Sequence, residues 1–191
     1  MMECEETTGM HDGDDHHTHS HDGHSQDGHN HDGHDHAGGG ERWKHDGVRV
    51  IPGDKLDANT AQTPGMFRQA AINAARVGAQ KIWAGTVAIQ PDAKTGVHHH
   101  GELESVIYVV SGKARMRWGE RLEYVAEAGP GDFIFVPPFV PHQEINASPD
   151  EPLHCVLVRS DNEAVVVNIP HVEPVERPET VHWVDQIHKH P

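Results

Sequence analysis

At 191 residues the chain has room for one domain plus appendages, since domains commonly run about 100–150 residues. It is acidic, with 15 Lys and Arg against 30 Asp and Glu, so it lacks the basic stripe that nucleic-acid phosphates require, and no nucleic-acid partner is expected. No apolar run approaches the roughly 18–20 residues of a membrane span, and the N-terminus lacks the basic and apolar regions of a secretory signal. Two cysteines supply no disulfide framework, and a cytoplasmic location is expected.

Residues 1–40 form a segment of their own. They hold ten of the 20 histidines and eight of the 19 glycines. Their seven Asp and three Glu, with no Lys or Arg, carry −10 of the formal −15. An irregular His-Asp-Gly repeat recurs at His11, His21 and His31, with an echo at His45. No apolar periodicity runs through the segment, so it cannot bury enough surface to offset its ordering entropy. A disordered tail is expected, with a flexible joint at Ala37 to Gly40. Its imidazoles and carboxylates offer low-order sites for additional metal ions, for storage or for delivery. The plainer reading is a solubilising tail that meets metal incidentally.

Strand signals dominate beyond the joint. Val48–Ile51 ends at a Pro52-Gly53 turn. Met66–Ile72 reads as extended, or as part of an Ala-rich helix reaching Val77. Short segments rich in Val, Ile, Phe and Tyr then follow at Lys81–Gln90, Ser105–Ser111, Ala114–Trp118, Leu122–Ala126, Phe133–Val136, His142–Asn146, Leu153–Arg159 and Ala164–Ile169, separated by Gly, Pro, Asp and Asn. Roughly ten strands at this spacing predict an antiparallel sandwich or barrel of the jelly-roll kind, an all-β fold. Pro178–His190 is expected to add a short helix bearing His182, His188 and His190. The domain boundaries read as a tail at 1–40, lead-in strands and a possible short helix at 41–78, a barrel at 79–170 and an extension at 171–191.

The chemistry concentrates at two places. Residues two apart on an extended segment share a face, so His98 and His100 can converge on one metal while His99 points away. His142 opens a later strand after the rigid run Val136-Pro137-Pro138-Phe139-Val140-Pro141. Three imidazoles form a facial set suited to a divalent transition metal. Arg115 and Arg117 alternate with Met116 and Trp118; they either clamp an anionic substrate or form a solvated strand face. In Ser105–Ser111 both faces are apolar, which predicts one face against the barrel interior and the other against a second layer or subunit. Cys155 lies in an apolar run and reads as a small buried hydrophobe.

These segments resemble the two motifs of the cupin superfamily. Gly131, Pro137, His142 and Asn146 stand at the spacings of the second motif, with Phe139 where glycine is common. His98 and His100 match the first, with Asp92 at its opening glycine position and Gly112 at its closing one. The resemblance covers residues 80–160 and implies a double-stranded β-helix barrel, a homodimer, and a site holding one divalent ion (Fe, Mn, Zn or Ni). It also implies a carboxylate ligand in the first motif. Glu104 is the first candidate and Glu102 the second, but Glu104 lies one residue further from Gly112 than the motif has it. The expected position is Ser105, so the site is either completed by Glu104 through a bulge or left as a three-histidine triad. The function implied is a small metal-dependent enzyme, an oxygenase or isomerase and thus a possible oxidoreductase, acting on a small polar molecule. The alternative is a non-catalytic small-molecule sensor or metal-buffering protein.

Overall fold

A computed structural model describes residues 39–162, 165–184 and 187. The tail expected to be disordered lies outside these residues up to Gly38, as do His188 and His190. In the unit that ends at Gly47, helix α1 spans Gly39–Asp46 and carries Lys44 and His45 in its last turn, where the helix dipole favours cations. Gly39 and Gly40, expected in a flexible joint, therefore begin a helix.

The second unit starts at Val48. The strand expected at Val48–Ile51 does not form, because no neighbouring strand pairs with it. Val48 and Val50 are exposed, and the segment is tied down by Arg49 donating to the Val77 carbonyl at 2.9 Å. The ambiguous Ala-rich stretch divides in two. Strand β1, Met66–Ile72, pairs antiparallel with β2, Trp83–Ile89, and a single helical turn α2 follows β1 at Ala74–Val77. Asn73 starts that turn by accepting from the Arg76 amide, and Gly78 ends it in the left-handed conformation at φ +70°.

Nine more strands complete the described barrel: β3 (His98–His99), β4 (Ser105–Ser111), β5 (Ala114–Trp118), β6 (Tyr124–Ala128), β7 (Phe133–Val136), β8 (His142–Asn146), β9 (Leu153–Arg159), β10 (Val167–Asn168) and β11 (Glu179–Thr180). They form two sheets, ordered β1-β2-β9-β4-β7 and β10-β3-β8-β5-β6-β11. All pairs are antiparallel except β11 with β6. The two sheets are the halves of a jelly-roll, the all-β architecture expected from the strand spacing.

Alternation sets the core. On β2 every second residue, Trp83, Gly85, Val87 and Ile89, is buried, and on β9 the same parity buries Leu153, Cys155, Leu157 and Arg159. Ser105, Ile107 and Val109 of β4 meet them from the same side. The other face of β4, expected to be covered, leaves Val106 and Val110 exposed in the single chain, beside Phe133 and Phe135 of β7.

The helix expected at Pro178–His190 does not form in its described part. The edge of β6 captures the chain instead: Glu179 donates to the Glu123 carbonyl at 2.8 Å and Val181 to that of Val125 at 2.9 Å. An unpaired strand edge is a ready template for such addition. His182 is exposed and lies in no helix. Among the described residues no helix is long and apolar enough to cross a membrane.

Candidate metal centre

Strand pairing assembles the site. His98 on β3 is the direct partner of His142 on β8, and their ring centroids lie 4.5 Å apart. His100, two residues past His98, turns the same way, with its ring 5.0 Å from His98 and 4.9 Å from His142. All three are fully buried. His99 points away, accepting from the Gly101 amide through Nδ1 and lying 5.9 Å from the Phe139 ring.

Each inward imidazole is held by a backbone carbonyl at Nδ1: His98 by Gly96 at 2.9 Å, His100 by Val165 at 3.1 Å and His142 by Val140 at 2.9 Å. A carbonyl only accepts, so the proton resides on Nδ1 and each Nε2 keeps its lone pair. Orientation of a histidine ligand through its second nitrogen is the usual support of a metal site.

The carboxylate comes from β8 itself. Glu144 follows His142 by two residues, faces the same way and brings Oε2 to 3.6 Å from His98 Nε2. One ligand atom from each of His98, His100, His142 and Glu144 falls within 4.8 Å of all the others. His98 Nε2, His142 Nε2 and Glu144 Oε2 are buried with no hydrogen-bond partner in the described structure. Orphaned buried acceptors of this kind are costly unless something positive meets them, so the donor set fits a divalent cation.

Glu104 is not brought to this cluster. It is exposed, with its amide on Ser160 Oγ at 3.1 Å, and Glu102 is exposed as well. No bulge re-aims Glu104; Ser105 takes the inward position at the head of β4, where its side chain is buried. Sequence reasoning missed Glu144, although the alternation that paired His98 with His100 applies equally to His142 and Glu144.

Arg115 and Arg117 are engaged elsewhere. Arg115 pairs with Glu127, and Arg117 donates to the carbonyls of Leu122 and Val175. Two other arginines face the interior, Arg68 on β1 and Arg159 on β9, both at most 1% exposed. Each continues an apolar strand face: Met66, Arg68 and Ala70, then Leu157 and Arg159. A charge on the buried parity of a strand was the available signal for both.

Burial disfavours charge on two of the imidazoles, His98 and His100. Burial pulls the His98 pKa down against opposition from Glu144. Burial, and then the Arg159 charge, push His100 to about 2. For Glu144 burial works against ionisation, but His98, His142, Arg68 and Arg159 outweigh it and hold the carboxyl below its usual range.

The motif positions explain the frame. Gly112 and Gly131 adopt φ +88° and +96°, values that suit glycine. Asp92 and Phe139, standing where glycine is common, nonetheless take φ +56° and +59°. The glycine-type backbone is retained without the glycine. Asn146 closes the frame from β8, donating to Ile89 and Glu151 carbonyls at 3.1 and 2.7 Å and accepting from the Ser148 amide.

Fold and donor set together define a double-stranded β-helix protein with a buried three-histidine, one-carboxylate site. The cupin domain family matches residues 85–159, so that this stretch of the chain is a cupin domain. An uncharacterised Klebsiella pneumoniae protein with a double-stranded β-helix domain superposes with a TM-score of 0.51 at 18% identity, over 65% of this chain and 99% of that one. Bacillus subtilis oxalate decarboxylase at pH 4.6 superposes with a TM-score of 0.50 at 23% identity, over 58% of this chain. This chain spans only 29% of that enzyme's length. These likenesses establish the fold. No curated protein matches the chain in sequence.

Proposed function

We propose that the chain is a metal-dependent cupin enzyme of the oxygenase or isomerase type, acting on a small polar molecule. The observation that carries this reading is the convergence of four buried donor atoms, three of them imidazole nitrogens with fixed tautomers. His98, His100, His142 and Glu144 would hold Fe, Mn, Zn or Ni, four donors leaving part of an octahedral shell for substrate. The bound ion supplies Lewis acidity and, for Fe or Mn, redox chemistry. The chain's own residues do the rest. Three backbone carbonyls fix the ligand lone pairs, and the buried walls exclude water from the reacting centre. Cys155 offers no competing nucleophile, because burial, with Glu144 nearby, pushes its thiol up to about 12.

The ten histidines of residues 1–40 favour a second reading, a non-catalytic sensor or metal buffer. Mass spectrometry of bound metals separates the two, using protein purified without an affinity tag and with residues 1–40 deleted. About one tightly held ion per shortened chain supports the enzyme reading. Metal that disappears with residues 1–40 sinks it in favour of the buffer.

A further inference from the structure

The buried centre carries more positive charge than its own residues balance. Glu144 is one carboxylate facing two guanidiniums, Arg68 and Arg159, and both arginines act electrostatically on it. A divalent ion on the donor set widens that excess. Uncompensated buried charge is expensive, so the site calls for an anion that the chain does not supply.

The arginines are also incompletely satisfied. Arg68 donates to the Ala61 carbonyl at 2.6 Å and lies 3.5 Å from Thr63 Oγ1, while its Nε is buried with no partner. Arg159 donates to the Val165 carbonyl at 3.0 Å, and its Nη2 lies 3.3 Å from His100 Nε2. Its Nε too is buried and unpartnered. Trp83, its direct partner on β2, holds the guanidinium with the ring centroid 6.0 Å from Cζ.

Ser105 completes the arrangement. It is the direct partner of Arg159 across β4 and β9, and its buried Oγ has no hydrogen-bond partner in the described structure. Nε and Nη2 form one edge of a guanidinium, a pair of parallel donors that matches a carboxylate. A cation on His100 Nε2 takes the lone pair that Arg159 Nη2 contacts, leaving that N–H for an anion as well.

We propose that Arg159, with Ser105 beside it and Arg68 two strands away on the same sheet, forms a subsite for a carboxylate of the substrate, so that the substrate class is a small organic acid. The inference rests on the metal-enzyme reading for its setting, but its failure is separable from that reading. No covalent step is involved: the arginines bind and orient.

The test is calorimetric titration of the metal-loaded full chain with malonate, with its uncharged analogue malonamide and with inorganic phosphate. Malonate is expected to bind at least about tenfold more tightly than malonamide, a charge-assisted hydrogen bond being worth about one decade or more in affinity. R159Q and R68Q are expected to weaken malonate by a similar factor while metal content stays that of the parent protein. Equal binding of malonate and malonamide overturns the proposal, and this arm needs no variant to fold. Tighter binding of phosphate overturns the assignment to a carboxylate. Arg-dependent malonate binding by a protein that holds no barrel metal upholds the subsite and removes the metal reading. Bound metal with no response to malonate does the reverse.

Discussion

Glu144 stands two residues beyond His142 on one strand, and the pleat of β8 turns both side chains into the barrel, where Glu144 Oε2 comes within 3.6 Å of His98 Nε2. The carboxylate of the site therefore belongs to the second motif's strand and not to the first. E144Q keeps the shape of the side chain and removes its charge. It is expected to weaken metal binding by at least about tenfold, since even outer hydrogen-bond partners of ligands cost about 10–100-fold. E104Q, an exposed change, leaves the affinity where it was. Competition with a chromophoric chelator measures both, and loss of affinity in E104Q alone would reverse the assignment.

Acid should destabilise the metal-free protein. His98 and His100 have folded pKa values below their ordinary 6.5, His100 down to about 2. Between those values the unfolded chain binds more protons than the folded one, so unfolding free energy rises with pH across that window. The stabilisation is complete above about pH 6.5 and is lost as pH falls below it. Glu144, whose pKa is also lowered, acts in the same direction below its ordinary 4.5. Urea midpoints of chelator-treated protein should fall from pH 7.5 to pH 5. A midpoint that rises over that interval contradicts the lowered pKa values of His98 and His100.

Phe139 holds a left-handed backbone, φ +59°, with an exposed aromatic side chain. A non-glycine residue there costs about 1–2 kcal/mol, partly offset by the greater unfolded-chain entropy of glycine. F139G should raise the unfolding free energy by about 1 kcal/mol, and F139V, β-branched at the same φ, should lower it. Denaturant titration of the pair checks the sign, and a destabilised F139G would show that the ring's contact with His99 outweighs the backbone.

Most of the barrel was legible because alternation and turn residues carry it. The strands β2, β4, β5, β7, β8 and β9 follow the apolar segments closely, and His98, His100 and His142 follow from pleat parity and motif spacing. The misses have physical causes. Val48–Ile51 has strand composition but no partner, and pairing is a tertiary event that composition cannot report. The C-terminal segment pairs with β6 through backbone groups, which sequence does not encode locally. Glu144 was passed over because the motif directs attention to a carboxylate before Gly112. Arg68 and Arg159 were legible as charges on apolar strand faces, whereas Arg115, one of the alternating pair left open between a clamp and a solvated face, pairs with the exposed Glu127.

The exposed face formed by Val106 and Val110 of β4 with Phe133 and Phe135 of β7 fits the homodimer expected from the resemblance. Sedimentation equilibrium should give a dimer for the parent protein and a shift towards monomer for a protein carrying F133E and F135E. A parent protein that sediments as a monomer at micromolar concentration removes the dimer.

The most direct measurement is a crystal structure of the full chain with anomalous data at the edge of the metal identified by mass spectrometry. One ion is expected inside the barrel, about 2.0–2.2 Å from Nε2 of His98, His100 and His142 and from a Glu144 oxygen. A barrel without an anomalous peak, or an ion that Glu104 coordinates while Glu144 turns away, would contradict the account.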